Sequence, residues 1–371
     1  MPQVPEGITF LILARDEACV LGETLTSLTG AVSREDRIHV VADGCRDATA
    51  EVAAGRGAVV HVRKDTGVRG KGVALRWWLA QTRCSSTPMD AIVLLDADTR
   101  LGPGFVPAIR RRLARGEPVI QARLEPEVRN GDPLIRLAAF SDIVEQQVYD
   151  AWNARMGWPV RIRGTGTAFR RWALERATAR LQTSAEDLEM TLVLAAERIG
   201  ITFANEVSVA DPKPRTLEGA EGQRARWFKG QLQTLRTHPD LVGRLLLQGP
   251  RGLAVLSSVL LKPKALVMPL KTVITLLAAL LAAQSGGAAV PIAIGGVIWL
   301  GLDVGGVLYG LRFVSERRKT LLAMLSCPAY LILWLRSVFL AARSRDPWLR
   351  SRPAATAPSE GGLDLVPDNP H

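Results

Sequence analysis

Val93-Leu94-Leu95-Asp96-Ala97-Asp98 is the stretch on which the fold turns: a short apolar run ends abruptly in two carboxylates one residue apart. An apolar run of this length, bounded by polar residues, reads as a buried strand. The strand extends from Ala91 to Leu95, and turn geometry at its end can aim Asp96 and Asp98 at a shared cation. Carboxylate oxygens are hard ligands suited to Mg²⁺ or Mn²⁺, and such ions complete their shells with phosphate and water. Taken alone, the same pair also makes an ordinary solvated turn.

Outward from this strand, Ile8 to Ala14, Ile38 to Ala42, Ala58 to Val62 and Pro118 to Ala122 have the same apolar character, with helical patterns between them. That alternation predicts an α/β fold with a mostly parallel sheet and helices on both faces. Ligands of such sheets sit beyond the carboxyl ends of the strands. Arg15, Asp16, Glu17, Asp43, Asp96 and Asp98 all fall there. Glu17 and Asp43 could accept hydrogen bonds from the base and ribose of a nucleotide, or cap the helices that follow. Arg69-Gly70-Lys71-Gly72, just before a helix, offers a cation, flexible backbone and a helix N-terminus, a set suited to a diphosphate. In isolation it is also a plain basic turn.

Beyond Asn130 the pattern becomes a long helix through about Asn153, a turn at Gly164-Thr165-Gly166-Thr167, and helices around Ala185 to Arg198 and Leu217 to Arg236. This half is expected to build the acceptor side. Glu186-Asp187 opens a helix, where carboxylates complement the dipole. A carboxylate there could also act as general base toward an attacking hydroxyl. Gln223, Arg226 and Trp227 stand at i, i+3 and i+4, one helix face carrying an amide, a guanidinium and a flat apolar surface. Such a face could clasp a leaving diphosphate and stack a sugar ring.

The 371 residues favour two units. Charges thin out between Ala265 and Leu311 and again between Thr320 and Ala342. A net charge of +11 would suit nucleic acid, but aromatics do not alternate with basic residues and no nucleic-acid motif is present. Instead Lys262, Lys264, Arg312, Arg317, Arg318, Lys319, Arg343 and Arg345 flank the apolar segments, as cytoplasmic flanks facing anionic lipid do. Cys19, Cys45, Cys84 and Cys327 form no metal or disulfide pattern and fit a reducing compartment. The N-terminus has no secretory pattern, so the N-terminal domain is expected in the cytosol.

Two spans are expected, Ala265 to Ala283 and Ala288 to Leu311, each near the ~20 residues a bilayer core requires. They interrupt their apolarity with Lys271 and Asp303, which fall at similar depth if the spans are antiparallel and would then neutralise each other. Leu321 to Ala342, with Pro328 and Arg336, reads as an interfacial or re-entrant helix, and Leu245 to Leu261 is amphipathic enough to lie on a membrane surface. A buried hairpin of a soluble protein is the other reading of the apolar third. The expected organisation is a cytosolic catalytic domain over 1–240, interfacial and transmembrane helices over 241–345 and a disordered tail over 346–371.

Seven motifs in this order resemble family 2 glycosyltransferases, in particular the membrane-bound branch of cellulose synthase and hyaluronan synthase. They are Ala14-Arg15-Asp16-Glu17, Val41-Ala42-Asp43-Gly44-Cys45-Arg46-Asp47, Arg69-Gly70-Lys71-Gly72, Asp96-Ala97-Asp98, Gly164-Thr165-Gly166, Glu186-Asp187 and Gln223-Arg224-Ala225-Arg226-Trp227. The resemblance runs from about Thr9 to Arg236, and more loosely through the apolar segments. It implies a GT-A fold, a divalent metal (Mg²⁺ or Mn²⁺), and inverting transfer from a nucleotide sugar, usually a UDP sugar.

By the same resemblance Asp98 holds the metal and Asp96 contacts metal or nucleotide. Asp187, with Glu186, is the base, and Ala14, Arg15, Glu17, Asp43 and Lys71 contact the nucleotide sugar. Gln223, Arg226, Trp227, Gly164, Thr165 and Gly166 hold the diphosphate and acceptor. Asp16 and Gly44 stand where Asn is frequent, and Thr165 where Asn often separates the glycines. The QxxRW motif is associated in this family with processive synthesis, so the expected product is a polysaccharide. Two or three membrane segments make a thin channel, which calls for a partner subunit or self-association, or for single addition to a lipid carrier. A catalytically silent membrane scaffold is the rival from outside enzymology.

Overall fold

Every residue of a parallel strand covered on both faces must be apolar, and Ile8–Ala14 and Ala91–Leu95 show how that requirement is met here. Ile8, Phe10, Ile12, Ala91, Val93 and Leu95 point into one core, while Leu11, Ile92 and Leu94 point into the other. The computed structural model describes residues 7–64, 67, 70–84, 89–128, 131–214, 216–260, 264–285, 287 and 289–343. Arg69 and the expected disordered tail lie outside them.

The strands are β1 (Ile8–Ala14), β2 (Arg37–Asp43), β3 (Val59–Arg63), β4 (Ala91–Leu95), β5 (Arg100–Leu101), β6 (Val119–Glu127), β7 (Thr167–Arg170) and β8 (Ile201–Pro212). They form a single sheet in the order β3-β2-β1-β4-β7-β6-β8-β5. β3, β2, β1 and β4 run parallel, β7 is antiparallel to β4 and β6, and β8 is parallel to β6. The five strands expected from sequence are all present. β5, β7 and β8 were not anticipated. β7 has only four residues, too few for a period to show. In β8 the exposed Asn205 and Glu206 break the alternation where pairing jumps from Ala122↔Ala204 to Arg123↔Ser208.

On one face lie α1 (Ala18–Thr29), α2 (Thr49–Gly55) and α4 (Phe105–Ala114); on the other lie α3 (Lys71–Gln81), α7 (Arg171–Thr178) and α8 (Glu186–Ala196). Between β6 and β7, α5 (Pro133–Val144) is capped by Asp132, whose carboxylate accepts from the N–H groups of Leu134 and Ile135. It continues through a π-helical turn, Glu145–Asp150, into α6 (Ala151–Arg155). After β8 come α9 (Leu217–Thr237), α10 (Pro239–Leu246) and α11 (Pro250–Leu260). Leu241, Leu245, Val255, Leu256 and Val259 are buried with Leu188 and Leu192 of α8. The apolar side expected to lie on a membrane over Leu245 to Leu261 is therefore largely packed against α8. Leu246, Leu247 and Leu253 remain exposed.

α12 (Lys264–Ser285) and α13 (Ala289–Gly310) pack antiparallel, since Lys271 meets Asp303 and Thr275 meets Gly296. A Cβ on Gly296 would fall within 3.0 Å of the Thr275 side chain, so this glycine sets how close the helices come. The Lys271–Asp303 ion pair expected from depth alone is present at 2.5 Å, and Tyr149 donates to the same carboxylate at 3.1 Å. Segments of 21 and 25 residues, Lys264–Gln284 and Ala289–Phe313, are long and apolar enough to cross a membrane. α14 (Arg317–Met324) and α15 (Cys327–Arg343) follow, bent by 68° where Pro328 opens the second helix, and together they are long and apolar enough for a broken span or a re-entrant pair.

Candidate active site

β1, β2 and β4 end side by side, and the chain leaving each one contributes to a cleft of about 690 Å³. At the end of β1, Asp16 adopts φ 53° and Gly44, after β2, adopts φ 61°. Both stand where the family often has Asn, and Asn, Asp and Gly are the residues that tolerate the left-handed region. The Asp16 carboxylate accepts from the N–H of Arg46 at 2.7 Å, tying the two strand-end loops together. Glu17 lies at the N-terminus of α1 without capping it through its side chain, so it faces the cleft rather than serving its helix. Asp47 accepts the N–H of Ala18 instead, at 3.0 Å.

Asp43 is buried and paired with Arg63 from the neighbouring strand, with Arg15 at 3.9 Å on its other side. Arg63 carried no sequence signal, because it terminates an ordinary-looking strand. The chain passes Gly70 and enters α3, whose first residue, Lys71, places Nζ 2.6 Å from Asp96 Oδ1. A Cβ on Gly72 would lie 3.2 Å from Leu181 and 3.4 Å from the Glu186 Cβ, so the N-termini of α3 and α8 converge here. Lys71, Asp96, Glu186 and Asp187 thereby share one wall.

The Asp96 N–H donates to the Thr165 hydroxyl at 3.1 Å, and that hydroxyl is also 2.8 Å from Thr99 Oγ1. Thr165 thus fixes the backbone at the strand end that carries the Asp96 carboxylate. Gly166 does not line the cleft; it has φ 66° and a Cβ there would come 2.8 Å from Val209, so its contribution is a close backbone approach that only glycine permits. Asp98 is likewise not among the cleft-lining residues and lies in the electrostatic field of Arg100. All the other expected site residues, namely Ala14, Arg15, Glu17, Asp43, Lys71, Asp96, Gly164, Thr165, Glu186, Asp187, Gln223, Arg226 and Trp227, line it.

Enclosure in the cleft pushes the Glu186 carboxyl up to about 7; Lys71 opposes that rise, Asp187 adds to it, and Arg226 also opposes it. Asp187 accepts the N–H of Leu188 at 2.8 Å and has Arg161 at 3.8 Å. Along α9, Thr216 caps the helix by accepting the N–H of Gly219, and Gln223, Arg226 and Trp227, the last 45% exposed, line the cleft. Arg224 also borders the cleft but is buried, stacking on Tyr330 and Trp334 of α15 at 5.3 and 5.5 Å.

Several cleft residues had no motif to announce them. Arg163 bonds Asp150 at 2.5 Å and faces Glu145 at 3.5 Å, both in the π-helical turn, and Lys213 bridges Asp142 and Asp211 at 2.6 Å each. Lys264 and Ala265 from the start of α12, and Tyr330 and Trp334 from α15, complete the far wall. Among the described residues, Asp16, Cys45 and Asp47 bring donor atoms within 4.8 Å of one another. Their carboxylates already hold the N–H groups of Arg46, Ala18 and Thr49.

Strand-end acids, a helix-borne acid pair and the cations Lys71 and Arg226 around one cleft, on a mostly parallel sheet with an antiparallel insertion, define a nucleotide-sugar glycosyltransferase of the GT-A fold. The chain belongs to glycosyltransferase family 2: the family profile described as "Glycosyltransferase like family 2" matches residues 5–230. Among solved structures, a mannosyltransferase from Pyrobaculum calidifontis, in complex with GDP-Man and Mn²⁺, is similar over 91% of this chain and 88% of its own, at 18% identity and TM-score 0.47. Glucosyl-3-phosphoglycerate synthase from Mycobacterium tuberculosis, in complex with Mn²⁺, UDP-glucose and phosphoglyceric acid, is similar over 64% and 79%, at 20% identity and TM-score 0.43. No curated protein matches the sequence.

Proposed function

We propose that this glycosyltransferase works at the cytosolic face of a membrane, moving a sugar from a UDP sugar to a glycan or lipid-linked acceptor in cell-surface polysaccharide synthesis, with inversion at the anomeric carbon. The observation that carries the reading is the convergence of Lys71, Asp96, Glu186, Asp187 and Arg226 on one cleft whose far wall comes from the apolar C-terminal helices. In this reading Asp187 removes the proton of the acceptor hydroxyl, and the resulting oxygen attacks the anomeric carbon. The bond from that carbon to the diphosphate breaks, and the nucleoside diphosphate departs toward Lys71 and Arg226. Ala14, Arg15, Glu17 and Asp43 cradle the nucleoside, while Gln223, Trp227, Gly164 and Thr165 position the acceptor end. Positioning and fixed charge supply most of the acceleration.

The donor set suits a divalent cation: Asp96 is a hard oxygen ligand with its side chain 37% exposed beside the cleft, and Asp98 stands two residues on. Mg²⁺ or Mn²⁺ held by Asp96 and Asp98 would neutralise charge on the leaving diphosphate. Two membrane-length helices, with Tyr330 and Trp334 of the bent pair against the cleft, favour single addition to a lipid-linked acceptor over secretion through the chain's own pore. Synthesis of a long polymer, as in the cellulose and hyaluronan synthase branch, would call for a partner subunit or self-association.

The deciding experiment is release of UDP from a panel of UDP sugars by protein purified in detergent with Mn²⁺ or Mg²⁺. Release with one sugar, lost in Asp98→Ala and Asp187→Asn, supports the reading. Retention of full turnover by both variants overturns the assigned roles, and products that lengthen with time separate polymerisation from single addition.

A further inference from the structure

The acid pair of α8 is held by a buried device that takes no direct part in the cleft. Glu189, one turn into the helix, is 0% exposed and its carboxylate turns back toward the chain entering α8. It accepts the N–H of Gln182 at 3.0 and 3.2 Å and the N–H of Thr183 at 2.9 Å. Its fourth contact is His238 Nε2 at 2.7 Å, and that imidazole is 1% exposed. Replacing a buried, hydrogen-bonded charged group and its partner by apolar residues is often neutral or stabilising, so packing alone does not call for this pair.

What the pair joins gives it a reason to exist. His238 closes α9, the helix whose cleft face carries Gln223, Arg226 and Trp227. Glu189 grips the segment immediately before Glu186 and Asp187. The same two elements meet again where Thr183 Oγ1 lies 3.0 Å from Thr234 Oγ1, and where a Cβ on Gly230 would come 2.8 Å from the Ala185 Cβ. Ser184, between these contacts and the acid pair, also reaches Gln233 of the same helix, its hydroxyl 3.4 Å from Gln233 Oε1.

We propose that Glu189 and His238 are positioning residues for glycosyl transfer, setting the distance between the Asp187 carboxylate and the Arg226 face. This rests on the transferase reading above. A displacement of about 1 Å between reacting groups costs roughly a hundredfold in rate, whereas the nucleoside and Lys71 contacts of the donor lie on the strand-end loops and α3, which the pair does not touch. The signature is a loss in kcat without a rise in donor KM.

The test measures UDP release in the presence of Mn²⁺, using the UDP sugar that the wild-type protein turns over, for Glu189→Gln, His238→Leu and His238→Gln, each below its own melting temperature. Glu189→Gln and His238→Leu should lose about a hundredfold in kcat, with donor KM within threefold of wild type. His238→Gln, which keeps an N–H donor for Glu189, should recover most of that loss. The proposal is overturned if folded Glu189→Gln and His238→Leu retain wild-type kcat, or if His238→Gln and His238→Leu are equally impaired. If Glu189→Gln does not fold, the two His238 variants decide. Absence of turnover by the wild-type protein itself would count against the transferase reading and is distinguishable from either result.

Discussion

Lys71 Nζ and Asp96 Oδ1 stand 2.6 Å apart, joining the first residue of α3 to the end of β4. The two motifs are 25 residues apart in sequence and were read separately, one for a diphosphate and the other for a cation. Their contact makes them one electrostatic unit in which each charge is available to a phosphate or a metal by a short side-chain movement.

Replacing Lys71 with Met should therefore weaken nucleotide binding. A hydrogen bond to a charged group is worth about 1.5–3 kcal/mol, so UDP affinity measured calorimetrically in Mn²⁺ should fall roughly tenfold to a hundredfold. Unchanged affinity would remove Lys71 from the diphosphate site.

Asp187→Asn separates binding from chemistry. Loss of a general base costs about 10²–10⁴ in rate. Transfer should fall by that much while UDP affinity stays within a few-fold of wild type; normal turnover would move the base elsewhere, with Glu186 the neighbour to examine next.

The raised Glu186 carboxyl predicts a pH-dependent stability. A carboxyl with its folded pKa near 7, above its ordinary 4.5, favours the folded state below pH 4.5, and that contribution is lost as pH rises through about 7. Glu186→Gln has no such loss. Its melting temperature relative to wild type should climb between pH 4.5 and 7 and level off above; a difference independent of pH would contradict the shift.

Lys271 and Asp303 have side chains only 12% and 9% exposed, so deleting one partner leaves a charge without its counter-ion. Breaking a buried pair costs about 3–5 kcal/mol, while replacing both partners by apolar residues is often neutral. Lys271→Met should lower the melting temperature in detergent, and Lys271→Met with Asp303→Leu should restore much of it. Equal stability of wild type and the single variant would mean that the pair bears little on how the two helices pack.

Much of the fold was legible because it is encoded locally. The apolar runs of β1, β2 and β4 are what strands covered on both faces require, and polar residues must gather where those strands end. Even the contact between Lys271 and Asp303 could be anticipated, because two antiparallel apolar helices leave few depths at which opposite charges can meet. The left-handed turns at Asp16 and Gly44 were visible as departures from Asn, although their common backbone reason was not.

Partnerships between distant segments were not legible. Nothing near Asp43 announces Arg63, nothing near Asp187 announces Arg161, and Glu189 looks like another acid of a helix N-terminus until His238 is brought against it. β8 was hidden by the bulge at Asn205 and Glu206, and the apolar side of Leu245 to Leu261 looked like a membrane surface until α8 covered it. Local sequence determined which segments become strands and helices and where the reactive types cluster, since periodicity and turn chemistry act over a few residues. Which side chains meet was decided by tertiary packing alone, because a buried charge takes its partner from whichever element the sheet and its helices bring within hydrogen-bond reach.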